Sequence, residues 1–508
     1  MADTPQRSRR SGRSARLAQR AKPVAVNPAP PGVPGGVYRP LSDSDMVQIY
    51  GTALRLLSEL GMGEVPKRLW DDLIAAGAED LGGERIGLPR SLVERCIDAA
   101  PKTFTLHARD PERSIEVGGD KVYFGTGGAA VNTLDMETGL YRPSTLADLH
   151  DFARLQDKLE NVAWFTRCCV ATDVPDNRDL DINTAYALIK NTTKPIATSF
   201  TLGEYVAPVV EMLDIAAGGP GSFAARPFMT AHISPVISPM RFGEDAIDVI
   251  YECIAHNMPV NCITAAQAGA TAPATMAGFL AQSLAETLAS LVVVNAISPG
   301  FPMIFSNWPF VIDLRSGAFA GGGGETMLLN AASAQLSNWL GLPSGVASSM
   351  TDAKAIDAQY GYEKGMTSAA AALAGGNLIY ESAGMTASLL GVSFEGFVID
   401  NEMHALTYRT LRGVEVTEDN LGYDEIVGAV MGEGHFLGLD HTYRAMERDY
   451  HYPKLADRAQ PSAWAEEGAP DAWSRAKATA QTILAEHHPA YLTEEQDAEI
   501  RAKFNILE

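Results

Sequence analysis

Cysteine is scarce in this chain, and its scarcity excludes two classes of protein. The 508 residues include five cysteines, at positions 96, 168, 169, 253 and 262, and their spacing matches no common zinc or disulfide pattern. Cys168 and Cys169 are adjacent within an apolar run, where buried thiols are expected rather than metal ligands. An odd number of cysteines without a secretory signal predicts a cytoplasmic location.

Positive charge is also in short supply. Lysine and arginine total 40 against 62 acidic residues, for a net charge of −22, which argues against nucleic-acid binding by the folded part of the chain. The first 22 residues are an exception, with six arginines and one lysine against a single aspartate. No apolar core follows them, so they do not form a secretory signal. We expect a solvated tail; a basic arm for an acidic partner is the alternative.

Long apolar runs and hydrolytic motifs are missing as well. No uninterrupted apolar run reaches the roughly 18 residues that cross a bilayer, so we expect no membrane association and interpret residues 280–297 as a buried helix. There is no nucleophile elbow and no HExxH motif. Glu433, His435 and His441 match no common metal site. The glycine-rich loops 124–132 and 321–324 lack a following P-loop lysine and are interpreted as tight turns near an active site.

A regular alternation of short apolar runs and helical segments fills the middle of the chain. The runs cover 122–126, 162–168, 196–200, 228–232, 260–264, 303–305, 344–347 and 378–381. Eight such units predict an α/β fold, a (β/α)8 TIM barrel over residues 121–410. An open doubly wound sheet has the same alternation, but no dominant glycine fingerprint supports it.

The barrel is flanked by two further segments and a tail. We predict a disordered basic tail over residues 1–38 and an N-terminal extension of helices and a small sheet over 39–120. A C-terminal helical segment follows over 411–508. It is expected to brace the barrel or to lie in a subunit interface of a homo-oligomer.

Candidate site residues are the polar and aromatic side chains where predicted strands end, because barrel active sites lie there. They are Thr126, His232, Gln267, Asn307, Trp308, Phe310, Asp352, Tyr360 and Glu381. Most are neutral, which suits holding a small polar molecule better than hydrolysis. A loop tryptophan can stack on a quaternary ammonium, with Tyr360 and Phe200 as possible partners, while Arg167 or Arg315 can meet a carboxylate. The alternatives are that His232 is structural, the aromatics are packing residues, and Arg315 pairs with Asp313.

Several longer stretches resemble the trimethylamine methyltransferase superfamily. They are FGTGG at 124–128, TLADL at 145–149, KPI at 194–196, SGAFAGGGGE at 316–325, LGLPS at 340–344, TDAKAIDAQYGYEK at 351–364 and YESAGM at 380–385. The resemblance covers roughly residues 40–500. It implies a TIM barrel that moves a methyl group from a methylamine to the cobalt of a separate corrinoid protein, so that the cobalamin is supplied by a partner and not bound tightly here.

The founding enzymes of that family carry pyrrolysine, whereas this chain has only standard residues, with Ser349 and Met350 near the expected position. Relatives that lack pyrrolysine resemble enzymes for quaternary amines, glycine betaine being the leading example. A quaternary ammonium needs no covalent adduct, because its leaving group is a neutral amine. The resemblance therefore implies no covalent catalytic residue, only positioning.

Our hypothesis is corrinoid-dependent demethylation of glycine betaine or a close relative. Trp308, Phe310 and Tyr360 would face the trimethylammonium group, and His232, Gln267 and Asn307 would fix the carboxylate. A sulfonium compound or a tertiary amine as methyl donor is an alternative, as is a non-catalytic betaine-binding barrel.

Overall fold

The computed structural model describes residues 27–507; the basic stretch 1–22 lies outside them. Its central sheet has eight parallel strands, and the second to the eighth pair with their neighbours in chain order. The first strand pairs with the last, and the amide of Ala163 donates to the carbonyl of Phe124 over 2.7 Å, which joins the first strand to the second and closes the barrel. The strands are β1 (Tyr123–Phe124), β2 (Phe165–Thr166), β3 (Ile196–Thr198), β4 (Met229–Ile233), β5 (Val260–Thr264), β6 (Met303–Asn307), β7 (Ser344–Ala347) and β8 (Leu378–Tyr380).

Each strand is followed by a helix that packs outside the sheet, which confirms the predicted (β/α)8 barrel. The first of these helices begins at a capping box, in which Thr145 and Asp148 accept each other's backbone N–H groups. The helices are α1 (Leu146–Asp157), α2 (Asn177–Asn191), α3 (Val206–Ala217), α4 (Glu244–Ala255), α5 (Met276–Ile297), α6 (Gly324–Trp339), α7 (Ala358–Leu373) and α8 (Phe394–Leu411).

Side chains alternate along each strand between the barrel interior and the helix layer. On β6, Ile304 belongs to an interior cluster, whereas Met303 and Phe305 belong to the core beneath the helices. The interior cluster also includes Ile263 of β5 and Leu378 of β8. This alternation decides which predicted site residues reach the interior.

The predicted N-terminal extension forms helices and small sheets. Three helices (Asp43–Arg55, Lys67–Ala76 and Arg90–Ala99) and a π-helical turn (Leu56–Leu60) lie beside the barrel, followed by a hairpin of Thr103–Leu106 and Ile115–Gly118. Leu106, Ile115 and Val117 of that hairpin join the interior cluster. The hairpin therefore closes the amino-terminal end of the barrel, and ligands must enter from the carboxyl end.

The longest helix, α5, explains an apparent membrane signal. Among the described residues it alone is long and apolar enough to cross a membrane. This differs from the sequence analysis, which found no apolar run of that length. However, 83% of its most apolar window is buried, because it packs against β5 and β6 on one side and the three N-terminal helices on the other. The prediction of a buried helix in this segment is confirmed.

Residues 27–38 differ from the predicted disordered tail. The amides of Gly32 and Gly35 donate to Val122 and Asp120 over 2.8 Å each, and the amide of Tyr38 donates to Leu373 over 2.9 Å. Such backbone bonds, rather than a helix or strand of its own, hold this proline- and glycine-rich segment across the barrel end.

The C-terminal segment is helical, as predicted, and part of it braces the barrel. Ala472–Glu486 packs on α8 and α1, and Glu494–Lys503 packs on α3. The hydroxyl of Tyr491 donates to the buried carboxylate of Asp157 over 2.6 Å. The other helices of the segment are Glu418–Leu421, Tyr423–Met431, Asp440–Arg448 and Pro461–Glu466.

The remaining short elements are strand pairs and single turns. The pairs are Glu79–Gly82 with Arg85–Gly87, Val236–Ile237 with Arg241–Phe242, Gln267–Ala268 with Phe310–Val311, and a four-stranded group of Asn132–Leu134, Tyr141–Pro143, Met385–Thr386 and Gly391–Ser393. The turns are Pro111–Arg113, Gly203–Tyr205, Ser222–Ala225 and Ala387–Leu389.

Candidate active site

Four rings converge inside the barrel. Tyr380, the last residue of β8, has its ring centroid 5.1 Å from each of Trp164, His232 and Trp308. His232 and Trp308 are 6.5 Å apart. Trp164 lies directly before β2, His232 on β4 and Trp308 directly after β6. We call Trp164, His232, Trp308 and Tyr380 the aromatic cluster.

Two glycines on neighbouring strands make room for the cluster. A Cβ atom on Gly125 would overlap the indole of Trp164, and one on Gly345 of β7 would lie 3.0 Å from the Tyr380 ring. Because glycine carries no side chain, large rings from the adjacent strands occupy that space. The cluster thus depends on the sequence of strands other than those that carry the rings.

Glu381 follows Tyr380 and is a buried carboxylate without a protein partner. Its side chain is 0% exposed, and neither oxygen has a hydrogen-bond partner among the described residues. It lies against Gly127 and Gly128 of the loop after β1. Burial raises the pKa of Glu381 to about 8, and the nearby Lys364 opposes that shift. Its backbone is left-handed, with φ of 64°, a strain of about 1–3 kcal/mol that tends to occur at functional sites.

A buried ion pair lies behind Glu381. The ammonium of Lys364 on α7 is 2.9 Å from the carboxylate of Asp400 on α8, and both side chains are 0% exposed. The same carboxylate accepts hydrogen bonds from the hydroxyl of Tyr360 over 2.8 Å and from the amide of Gly384 over 2.7 Å. Burial lowers the pKa of Lys364 and raises that of Asp400, and their mutual attraction opposes both shifts. In either protonation state the pair has a net charge of zero.

The histidines near this region are neutral. Burial, with a smaller contribution from Arg167, lowers the pKa of His232 to about 3. Burial likewise lowers the pKa of His404 to about 3, and the ring of His404 stacks on Phe124 at 4.1 Å. A nitrogen of His232 is 3.4 Å from the hydroxyl of Thr166. Neither imidazole therefore brings a positive charge to the site at neutral pH.

Four buried N–H donors around the interior lack an acceptor among residues 27–507. They are Nε of Arg167, which follows β2, Nε1 of Trp164 and Trp308, and Nδ2 of Asn261, which pairs with His232 across β4 and β5. The guanidinium of Arg167 makes no hydrogen bond or ion pair of 4 Å or less with any described residue. Buried donors in folded proteins are nearly always paired. Unpaired donors around an aromatic-lined interior indicate a binding site for a polar ligand.

The rim of the site is built from three connected loops. The carboxylate of Asp352 accepts the amide of Gly321 over 2.8 Å and the hydroxyl of Ser388 over 2.7 Å, which joins the loops after β6, β7 and β8. Phe310 packs edge-on against Phe319 at 4.8 Å, and both rings are partly exposed. Asp352 thus shapes the rim by accepting hydrogen bonds from a backbone amide and a hydroxyl of the neighbouring loops.

The structure brings two of the nine predicted site residues, His232 and Trp308, to the interior, whereas Glu381 directly follows the inward-facing Tyr380 and lies against the loop after β1. Phe310 lies at the rim beside them. The hydroxyl of Thr126 donates to the carbonyl of Thr166 over 2.5 Å, at the junction of β1 and β2. Gln267 lies in a short strand pair above the barrel, beside Phe310.

Asn307 and Tyr360 do not adjoin the aromatic cluster as expected. The side chain of Asn307 points into the helix layer, where its amide donates to the hydroxyl of Ser283 over 3.1 Å, because it alternates with Trp308 along the chain. Tyr360 is buried between α7 and α8 on Asp400. Arg315 is exposed and pairs with Asp313 over 3.0 Å, and Phe200 packs on the outer core.

Sequence reasoning missed Trp164, Tyr380, Lys364 and Asp400. The two aromatics could have been found by applying the two-residue period of a strand within the predicted runs 162–168 and 378–381. No local signal marks Lys364 or Asp400, because only packing of α7 on α8 makes them a pair. Ser349 and Met350, where the family resemblance placed pyrrolysine, follow β7; both are buried, and Met350 joins the interior cluster.

A family model described as trimethylamine methyltransferase (MTTB) matches residues 9–505, nearly the whole chain. The chain belongs to the trimethylamine methyltransferase family. As a member of that family it is a methyltransferase. Within the described residues, no group of three or more His, Cys, Asp or Glu is arranged to hold a metal ion.

Relatives within the family differ in their named substrates. Glycine betaine methyltransferase from Desulfitobacterium hafniense strain Y51 is 31% identical over 467 residues, 92% of this chain and 96% of the relative. Trimethylamine methyltransferase MttB from D. hafniense strain DSM 10664 / DCB-2 is 31% identical over 464 residues, 91% and 92% of the two chains. The MttB protein of Methanosarcina barkeri strain Fusaro is 30% identical over 406 residues, 79% and 81% of the two chains.

Among solved structures, a dihydropteroate synthase from Coxiella burnetii in complex with pteroic acid is similar to this chain. It aligns with a TM-score of 0.39 and 13% identity, over 61% of this chain and 100% of that one.

Proposed function

We propose that this methyltransferase takes a methyl group from a quaternary amine, glycine betaine or a close relative, and passes it to a corrinoid carried by a separate protein. The observation that supports this most directly is that buried N–H donors and a buried carboxylate both lack hydrogen-bond partners. N–H donors at Arg167, Trp164, Trp308 and Asn261 around the aromatic-walled interior lack partners among the described residues, and so does the buried carboxylate of Glu381, which directly follows Tyr380. A zwitterion with an onium group and a carboxylate complements both sets.

The onium end would contact the aromatic cluster. Each cation–π contact contributes about 0.5–2 kcal/mol, more when water is excluded, and the rings of Trp164, Trp308 and Tyr380 are almost fully buried. The neutral His232 adds no repulsion to a cation. Trp164 and Tyr380 therefore take the place given to Tyr360 in the sequence hypothesis.

The carboxylate end would be held by Arg167. Its guanidinium makes no hydrogen bond or ion pair of 4 Å or less within residues 27–507, although the buried carboxylate of Asp181 acts on its charge, whereas Asn307 is committed to Ser283. Hydrogen bonds between charged groups are about twice as strong as neutral ones. Arg167 thus replaces Asn307 as the expected carboxylate ligand, with the two indole N–H groups as further donors.

The protein's part in the chemistry is positioning. A quaternary ammonium leaves as a neutral amine, so no side chain needs to form a bond to it. The corrinoid would supply a Co(I) nucleophile to accept the methyl group. Holding the reacting carbon in a fixed direction and excluding water can lower the barrier by several kcal/mol. The partly exposed rings of Phe310 and Phe319 at the rim fit an apolar macrocycle presented from outside.

A second candidate donor is trimethylamine, which is favoured by the family description and by relatives such as MttB. Trimethylamine has no carboxylate, so it would leave Arg167 without a partner. Sulfonium donors would meet the aromatic cluster as betaine does. The presence of a free guanidinium near the cluster favours a donor that carries an acidic group.

Methyl transfer can be followed directly. The full chain is incubated with chemically reduced cob(I)alamin and, one at a time, glycine betaine, carnitine, proline betaine, trimethylamine or a sulfonium analogue. Formation of methylcobalamin is read from its absorption spectrum. We expect transfer from betaine or a close relative. Transfer from trimethylamine alone would contradict the substrate, and no transfer from any donor, also with a reduced corrinoid protein, would contradict the proposed reaction.

A further inference from the structure

Asn261, on β5, faces the barrel interior beside the aromatic cluster. Its neighbours along the strand, Val260 and Cys262, belong to the core beneath the helices, so the two-residue period of a strand turns Asn261 to the opposite face. Its partners in register are His232 on β4, a member of the aromatic cluster, and Ile304 on β6, which belongs to the interior cluster. Adjacent strands lie about 4.8 Å apart, so the amide of Asn261 borders the aromatic cluster.

This amide is fully buried, and neither of its polar atoms has a partner. Asn261 is 0% exposed, and neither Nδ2 nor Oδ1 makes a hydrogen bond within residues 27–507. By comparison, Asn307 on the next strand faces the helix layer, where its Nδ2 donates to the hydroxyl of Ser283 over 3.1 Å. Buried side-chain amides in folded proteins nearly always have partners. An amide that lacks them on the inner wall of a binding site indicates that a ligand supplies them.

A buried hydroxyl accompanies the amide on the adjoining strand. Ser306 lies two residues after Ile304 on β6 and shares its inward face; it is 0% exposed, and its Oγ has no partner among the described residues. A Cβ atom on Gly345 would be 2.0 Å from that oxygen and 3.0 Å from the ring edge of Tyr380. The hydroxyl and the ring therefore border the same point of the interior.

The unpaired atoms define the chemistry of the group that would satisfy them. The Nδ2 atom of an asparagine only donates hydrogen bonds, its Oδ1 only accepts them, and a serine hydroxyl does both. A carboxylate only accepts hydrogen bonds, so it would leave the Oδ1 atom of Asn261 unpaired. A hydroxyl group accepts and donates at the same time, and it can therefore pair with both atoms of one amide.

We propose that Asn261, with Ser306 on the adjoining strand, selects a methyl donor that carries a hydroxyl group close to its quaternary nitrogen. The inference rests on the proposed function, because it places the onium group against the aromatic cluster. A hydroxyl on the second carbon from the nitrogen suits the single strand spacing between His232 and Asn261. The donor is thereby narrowed to a hydroxylated quaternary amine, of which carnitine is an example, and Asn261 contributes binding without any covalent step.

The test compares two ligands that differ by one oxygen atom. Carnitine and its deoxy analogue, γ-butyrobetaine, share the trimethylammonium group, the chain length and the carboxylate, so their affinities for the full chain in calorimetric titrations isolate the hydroxyl. We expect carnitine to bind about tenfold more tightly, because its hydroxyl pairs buried groups that the analogue leaves unpaired. Equal affinities would overturn the inference and assign water alone to the amide. This comparison needs no variant protein.

Two asparagine variants separate ligand selection from a structural role. Asn261→Leu, which is similar in volume, should abolish the preference for carnitine and leave the affinity for γ-butyrobetaine nearly unchanged. Asn307→Leu is the matched control, since it removes a buried amide that faces the helix layer; it should lower the free energy of unfolding and keep the preference. Because Asn261 has no partner within residues 27–507, Asn261→Leu should not lower that free energy in denaturant titrations.

Each contrary outcome of the variants has a definite meaning. A preference for carnitine that persists in Asn261→Leu, or that is lost equally in Asn307→Leu, would overturn the inference. A loss of stability in Asn261→Leu as large as that in Asn307→Leu would assign the amide a structural role instead.

These outcomes are distinct from those that test the proposed function. Methyl transfer from a quaternary amine, together with equal binding of carnitine and γ-butyrobetaine, contradicts only the role given to Asn261. Absence of both binding and methyl transfer for every quaternary amine, these two ligands included, contradicts the proposed function itself.

Discussion

Replacing Trp308 by alanine should weaken betaine binding far more than replacing it by phenylalanine. The indole is 7% exposed and lies 5.1 Å from Tyr380 and 6.5 Å from His232, so a cation beside it is largely out of water. A desolvated cation–π contact of about 2 kcal/mol corresponds to about 30-fold in the dissociation constant. Phenylalanine keeps an aromatic face, and its loss should be a fraction of this.

tert-Butylacetate, the carbon analogue of glycine betaine that lacks the positive charge, separates the contribution of that charge from packing. Both Trp308→Ala and Trp308→Phe remove apolar contacts that tert-butylacetate also uses, so its affinity measures the packing loss alone. We expect Trp308→Ala to reduce betaine binding more than tert-butylacetate binding. Truncating a buried tryptophan also costs about 3–5 kcal/mol of stability, so titrations are made well below the measured unfolding temperature of each variant. Equal losses for the two ligands would refute a cation–π contact at Trp308.

Three further predictions concern charged groups of the site. Arg167→Gln should weaken betaine binding by about 1.5–3 kcal/mol but leave binding of tetramethylammonium unchanged in titrations; equal weakening of both would remove Arg167 as the carboxylate ligand. Lys364→Met should lower the free energy of unfolding by about 3–5 kcal/mol, because it leaves Asp400 buried and unpaired, and the double variant Lys364→Met/Asp400→Leu should recover much of that loss in denaturant titrations. Glu381 has a folded pKa raised to about 8 from 4.5, so its contribution to stability is complete below pH 4.5 and is lost as pH rises towards 8; Glu381→Gln should flatten the pH dependence of stability over that interval, and an unchanged profile would contradict the raised pKa.

The barrel could be predicted because its signals are local. Each strand is a short apolar run and each helix a 3.6-residue pattern, and both recur eight times along the chain. The prediction failed where contacts between distant parts of the chain determine the local structure. Residues 27–38 have no periodicity of their own, yet Gly32 and Tyr38 are held by the backbone of Val122 and Leu373.

The candidate site was predicted only in part. Trp308, His232 and Glu381 stand at the ends of apolar runs, which is a position a sequence reveals. Whether a side chain there faces the interior depends on where the strand's alternation starts, and a shift of one residue reverses it. Because consecutive side chains alternate, Asn307 faces Ser283 in the helix layer while its neighbour Trp308 joins the cluster.

The amino-acid sequence by itself determined the barrel and the family, because local periodicity and long family-like motifs such as 351–364 lie along the chain. Only the tertiary structure decided which groups lack partners. A carboxylate such as Glu381 is ordinary in a list of residues, and its meaning comes from burial, from the glycines that make space for it and from the neutral Lys364–Asp400 pair behind it. Electrostatic environment is a property of residues brought together from distant parts of the chain.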